Sequence, residues 1–131
     1  MRPTTRLEAN VIFVSDVARA EEWYARMLGM VTVELRPPEF LHMRLGGHSF
    51  FIETPSPRRA AGFEGGPVGG RSSVVFGVAD VGAFCTFAAA AGAVIRVAPV
   101  RQHWGGVNAV IADPDGNEFV LDQVADGPED L

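Results

Sequence analysis

The sequence predicts an α+β domain built as two tandem βαβββ modules, each a strand, a helix and three further strands. Three observations carry that reading. The two halves repeat one another, an Asp-Val dipeptide marks a helix start in each, and each helical stretch is followed by short strand-like runs. In the repeat, "VIFVSDVARAEEWY" (Val11–Tyr24) matches "VVFGVADVGAFCTFA" (Val74–Ala88). Placing Asp16 on Asp80, an offset of 64 residues, sets Val14 on Val78, Val17 on Val81 and Trp23 on Phe87. Several pairings in register are the mark of a duplicated unit.

In each half a β-branched segment enters the helix through an aspartate whose short carboxylate can cap the free amides of the first turn. Val17, Ala20, Tyr24, Met27 and Leu28 recur at helical spacing, so Trp23 and Tyr24 read as helix core; Phe84, Phe87 and Ala91 recur more weakly. Gly29 and Gly92 follow as helix-ending glycines. "MVTVEL", "FLHMRL" and "SFFIET" then read as strands in the first half, and "VIRVAP", "GVNAVIA" and "EFVLDQ" in the second. The first module is placed at about residues 7–54 and the second at about 73–123. Between them, at about 55–72, lies a linker rich in Pro and Gly, a length of loop that is often functional. Residues 124–131 read as an acidic tail.

Composition narrows the function classes. A chain of 131 residues, 47% hydrophobic and 21% charged, suits one domain with a real core. Its net charge of −5 offers no basic surface for nucleic acid. All 11 basic residues are arginine, which excludes Schiff-base chemistry, a lysine general base and a Walker-type phosphate loop. Cys85 stands alone, so no intrachain disulfide forms. The N-terminus has no apolar leader and no run approaches about 18 apolar residues, so no membrane association is expected and the expected compartment is cytoplasmic.

Local motifs give little chemistry. "DPDGN" (Asp113–Asn117) imitates a calcium loop, but Gly116 and Val124 fall at the fourth and twelfth positions, where such a loop needs Gly sixth and Glu twelfth. It reads as a turn, with Pro114 presetting φ, Gly116 taking the left-handed conformation and Asp113 bonding its own backbone onward. "GGHSF" only approximates a nucleophile elbow, the linker glycines match no dinucleotide fingerprint, and His48 reads as a turn residue. His42 and His48, six apart, share neither a helix face nor adjacent strand positions.

The repeat and the closing turn together resemble the vicinal oxygen chelate superfamily, which holds glyoxalase I, bleomycin-resistance proteins, extradiol dioxygenases and methylmalonyl-CoA epimerase. The segments that carry the resemblance are "VSDVARAEEWYARMLGM" and "WGGVNAVIADPDGNEFVL", and it spans roughly Leu7 to Gln123. It implies an open, barrel-like mixed sheet around a central cavity, usually in a homodimer. In metal-dependent members it further implies a His in the first strand, a Glu in the fourth, a His or Gln opening the second module and a Glu in the last strand. Carried over, those positions hold Ala9, Glu53, Ser73 and Val120. Only Glu53 is a strong ligand, and a divalent ion needs several N or O donors at about 2.0–2.2 Å to replace its water. No metal or other cofactor is therefore expected. A register shift to Asn10, or ligands borrowed from His42 or His103, are the remaining routes to one.

Strand alternation sorts the cavity positions. With Glu53 inward, Phe51 and Ser49 face the same way while Phe50 and Ile52 pack on helices; Ala9, Val11 and Phe13 line one wall, and Ser73, Val75 and Gly77 another. Val120 shares a face with Glu118 and Asp122. His42 and Arg44 are placed inward on the third strand. "RQHWGG" (Arg101–Gly106) offers a guanidinium, an imidazole and an indole where relatives often contact ligand. The expected ligand-binding set is thus Phe13, His42, Arg44, Phe51, Glu53, Ser73, Arg101, His103 and Trp104, around a largely apolar pocket. Trp104 reads equally as core or dimer contact, and Arg101 and His103 equally as solvated loop.

Two functions fit. One is a metal-free protein that binds a small aromatic or drug-like molecule, conferring antibiotic resistance by sequestration, as bleomycin-resistance relatives do. The other is a lyase, isomerase or dioxygenase with Glu53 as catalytic base, a role favoured by burial of the carboxylate, or as metal ligand at a remodelled site.

Overall fold

A computed structural model describes residues 1–123; the tail expected at 124–131 lies outside the described residues. The chain divides into two compact units, Met1–Gly66 and one beginning at Pro67. Strand β1 (Asn10–Phe13) opens the first and leads to helix α1 (Val17–Leu28). Asp16 caps this helix as its sequence demands: its Oδ1 accepts from the amides of Ala18 at 3.0 Å and Arg19 at 3.1 Å. Gly29 ends it in the left-handed conformation, at φ 74°. Strands β2 (Val31–Arg36), β3 (Phe40–Leu45) and β4 (His48–Glu53) follow. The sheet order is β1-β4-β3-β2, with β1 parallel to β4 and the other pairs antiparallel.

The second unit repeats the plan with β5 (Gly70–Val78), α2 (Val81–Ala90), β6 (Val94–Arg101), β7 (Val107–Ala112) and β8 (Asn117–Gln123). Its order, β5-β8-β7-β6, matches that of the first sheet. Asp80 caps α2 by accepting from the Ala83 amide at 2.9 Å. The α+β class and the two βαβββ modules are as the sequence predicts. The strands divide into two four-stranded mixed sheets, neither closed into a barrel. β5 starts at Gly70, inside the glycine-rich stretch, because its parallel pairing with β8 begins at Gly70 with Asn117. Among the described residues no helix is long and apolar enough to cross a membrane.

Each helix covers one face of its own sheet. In the first unit Val17, Ala20, Trp23, Tyr24 and Met27 of α1 are buried together with Ile12, Leu41, Met43, Phe50 and Ile52. Those strand residues alternate with the ones on the opposite face, as a pleated strand requires. In the second, α2 buries Val81, Cys85 and Ala88 rather than the expected stripe through Phe84 and Phe87. Positions 81, 85 and 88 share a helix face, whereas Phe87 is rotated off it and is 49% exposed.

The turn at Asp113 is a clasp. The Gly116 amide donates to the Asp113 carbonyl at 3.0 Å, and Gly116 has φ 81°. The buried Asp113 Oδ1 accepts from the amides of Asp115 (2.9 Å) and Asn117 (2.8 Å), while Oδ2 accepts from Asn117 Nδ2 (2.8 Å). Asn117 Oδ1 in turn accepts from the Gly69 amide at 2.9 Å, tying the start of β5 to the turn. Asp113→Ala removes the acceptor and strands buried donors. It should cost about 2–4 kcal/mol in urea unfolding, against about 1 kcal/mol for the exposed cap change Asp16→Ala.

Burial pushes the Cys85 thiol above its ordinary range. The folded state then holds that proton at pH values where the unfolded chain has lost it. The resulting stabilisation is complete below the ordinary thiol range and falls away as pH rises through the raised value. Cys85→Ala should therefore lose less stability than the parent between about pH 8 and 10 in paired urea titrations.

Candidate functional site

The helix-free face of the first sheet gathers the residues that alternation assigns to it. Pairing of β1 with β4 sets Phe13 beside Glu53 and Val11 beside Phe51; pairing of β3 with β4 sets Phe40 beside Glu53, His42 beside Phe51 and Arg44 beside Ser49. Phe51 is the centre of an aromatic cluster, with Phe40 at 5.5 Å and His42 edge-on at 5.2 Å between ring centroids. His42 Nε2 is hydrogen-bonded to Ser49 Oγ at 2.9 Å. Five expected site residues, Phe13, His42, Arg44, Phe51 and Glu53, thus share one face. Ser49 adds a hydroxyl, and β2 adds Glu34 opposite His42 and Arg36 opposite Phe40.

At one end of this face lies a solvent-open cleft of about 400 Å³, lined by Arg36, Pro37, Pro38, Glu39, Phe40, Glu53, Arg58 and Arg59. Glu53 is the only expected site residue in it. Five of the eight lining residues are charged, so this cleft is ionic. The reason is the segment after β4, which folds against the β2–β3 turn. The Thr54 amide donates to the Glu39 carbonyl at 3.1 Å, and buried Ser56 donates from Oγ to Glu39 Oε1 at 2.7 Å. The loop then closes on itself. The Ser56 amide donates to the Glu64 carbonyl at 2.8 Å, and the Gly62 amide to Glu64 Oε1 at 2.7 Å.

That closure delivers two arginines. Arg59 Nη2 stands 3.4 Å from Glu53 Oε1, with only 21% and 19% of the two side chains exposed, and Arg59 Nη1 donates to the Glu64 carbonyl at 3.1 Å. Arg58 lies 3.6 Å from Glu39, largely in solvent, where such a pair adds little stability. Across the cleft the Arg36 guanidinium sits 4.7 Å over the Phe40 ring while its Nε pairs with Glu34 at 3.1 Å. Arg36, Phe40, Arg58 and Arg59 are cleft residues that the sequence reading did not include in its candidate site. The Arg-Arg pair within the Pro/Gly linker and the Arg-Pro-Pro-Glu-Phe turn were the available signals.

The remaining expected residues lie in the second unit. Ser73 is exposed on β5, one pleat from Val75, which pairs with Val120. Arg101, His103 and Trp104 form the β6–β7 hairpin tip, where the Gln102 amide donates to the Gly106 carbonyl at 2.7 Å and Arg101 Nη1 to the Gly105 carbonyl at 2.9 Å. Trp104 is 65% exposed and meets His103 edge-on at 4.9 Å, so it is not a core residue of its unit.

A model of the glyoxalase/bleomycin resistance protein/dioxygenase superfamily matches residues 6–121. The chain belongs to that superfamily. Solved structures of similar fold include a superfamily member from Sphaerobacter thermophilus DSM 20745, 24% identical over 92% of this chain and 98% of that one, TM-score 0.77. Lactoylglutathione lyase from Agrobacterium tumefaciens is 18% identical over 93% and 96%, TM-score 0.75. TnmS3, an antibiotic binding protein from Streptomyces sp. CB03234, is 23% identical over 95% and 100%, TM-score 0.74. No functionally curated protein matches in sequence.

For a superfamily member the donor set at the four metal positions is poor. Ala9 and Val120 carry no donor atom, Ser73 offers a hydroxyl, and the Glu53 carboxylate already has the Arg59 guanidinium as counter-ion. Among the described residues no group of three or more His, Cys, Asp or Glu is placed to hold an ion. These residues do not fit a divalent cation, which needs several hard or borderline ligands together.

The loop that delivers Arg59 is pinned through Gly65, whose φ is +87° and whose missing side chain leaves room for the Phe13 ring. Gly65→Ala adds both a disfavoured backbone conformation and a collision with that ring, a local cost of about 1–3 kcal/mol. Trypsin should then cut after Arg58 or Arg59 at least about fivefold faster than in the parent.

Proposed function

We propose that the chain binds a small aromatic or drug-like molecule on the helix-free face of its first sheet, without a metal, and confers resistance by sequestering it. The observation that carries this reading is the Phe40–Phe51–His42 cluster, set beside the His42–Ser49 and Glu53–Arg59 polar pairs. Flat apolar rings supply stacking area, and a few fixed polar groups supply orientation, the combination that small-molecule sites use. The donor set at the metal positions and the fold shared with an antibiotic binding protein support the same reading. Phe13 and Arg44 extend the face; on the second unit, Ser73, Arg101, His103 and Trp104 are proposed as ligand-binding residues of that unit. The working form is proposed to be a cytoplasmic homodimer; edge strands β2 and β6, which expose Val31, Val33, Val94, Val97 and Val100, are suited to such contacts.

A thermal-shift screen of antibiotics and aromatic metabolites tests the binding function. A ligand at 100 times its Kd should add about 2.7 kcal/mol of stability. Phe51→Ala should abolish that shift while the unliganded protein stays folded. Turnover of a screened compound, with no stabilisation by any of them, would overturn the proposal.

A second reading is an enzyme, a lyase, isomerase or dioxygenase using Glu53 as base or as ligand at a remodelled metal site. The half-buried Glu53 carboxylate beside the cleft favours it. Elemental analysis of protein purified without chelators discriminates: less than about 0.1 metal per chain is expected for the binding protein, because fewer than three good ligands converge. A stoichiometric ion that Glu53→Gln removes would establish the enzyme reading instead.

A further inference from the structure

We infer that the cleft beside Glu53 is an anion subsite: it takes the carboxylate of a planar aromatic ligand, with Arg59 as the anchoring cation and Phe40 as the floor. The inference rests on the binding function above and specifies the chemistry of its ligand.

The donors and acceptors around the cleft do not balance. Arg36, Arg58 and Arg59 bring three guanidiniums, each with five N–H donors, against the three carboxylates of Glu34, Glu39 and Glu53. The acceptors are largely engaged. Glu39 takes the Ser56 hydroxyl at 2.7 Å and faces Arg58 at 3.6 Å, and Glu53 faces Arg59. Of the Arg59 donors, one meets the Glu64 carbonyl and one end of the guanidinium meets Glu53 by a single 3.4 Å contact, so most of its N–H groups have no protein partner among the described residues. Arg36 uses Nε on Glu34, and its two Nη groups make no ion pair among the described residues. A site with surplus donors is completed by a ligand with surplus acceptors.

Shape agrees. A cleft of about 400 Å³ falls in the range of small-molecule pockets. The Phe40 ring, with the Arg36 guanidinium 4.7 Å from its centroid, adjoins the Phe51 ring at 5.5 Å, so aromatic surface borders the cleft. A guanidinium matches a carboxylate by a planar two-point contact, which a point charge cannot do. Arg59 is held by Glu53 and Glu64 with most of its side chain buried, so little rotamer freedom is left to lose on binding. Each of the three arginines has one carboxylate partner, so what the cleft offers an anion is unused N–H donors rather than a net positive charge.

The test uses one ring with three charges: 2-naphthoate, 2-naphthamide and 2-naphthylmethylammonium, titrated by calorimetry into the full chain. The naphthoate should bind at least about tenfold tighter than the amide, and the ammonium weakest. Arg59→Gln should erase the gap between naphthoate and amide. Arg59→Lys should keep part of the gap, which guards against a variant whose loop does not close. Equal binding of naphthoate and amide to the parent, or a gap that survives Arg59→Gln, overturns the anion subsite and leaves the binding function standing. Tighter binding of the ammonium also overturns it and assigns the cleft to Glu53. Failure of all three to bind at millimolar concentration overturns the subsite, and failure across the wider thermal-shift screen is what would remove the binding function.

Discussion

The two-residue period of strands β1, β3 and β4 is the constraint from which the first unit's chemistry follows. Ile12, Leu41, Met43, Phe50 and Ile52 must sit under α1 to leave water, and that demand fixes the register of all three strands. Phe13, His42, Phe51 and Glu53 are then forced to the other face together. A one-residue slip would bury Glu53 and His42 against the helix and bring Phe50 and Ile52 into solvent. Core packing therefore places the site residues as surely as any contact they make with each other.

Where structure depends on neighbours in the chain, the sequence was readable. The Asp16 and Asp80 caps, the Gly29 stop and the Asp113–Asn117 turn rest on hydrogen bonds spanning a few residues, and each lies where its local chemistry indicates. The strand "FLHMRL" has the limits that its alternation suggests. Helix α2 was harder to phase, because "VGAFCTFAAA" is apolar or small on nearly every side and its periodicity selects no face. The charged cleft was less legible still. Arg58 and Arg59 reach it through contacts such as Ser56 with Glu39, 17 residues apart, and no local pattern encodes that closure.

The Glu53–Arg59 pair joins these two levels. Alternation along β4 turns Glu53 out of the helix-packed core, and a carboxylate with less than a fifth of its surface in water is costly without a counter-charge. The chain supplies that counter-charge from its own loop. The carboxylate and the guanidinium hold each other in place, so the loop and the sheet face are coupled. The same pairing means that an ion at Glu53 would compete with the Arg59 guanidinium for the carboxylate.

The hairpin tip at Trp104 has a spectroscopic consequence. Trp23, on the buried face of α1, is 6% exposed, whereas Trp104 is 65% exposed, and these are the chain's two indoles. Iodide in the solvent can collide with the second and not the first. Quenching therefore divides the intrinsic fluorescence into a silent population that reports the interior of the first unit and a quenchable one that reports the β6–β7 tip. Events in the two halves of the molecule can be followed separately, with no label attached.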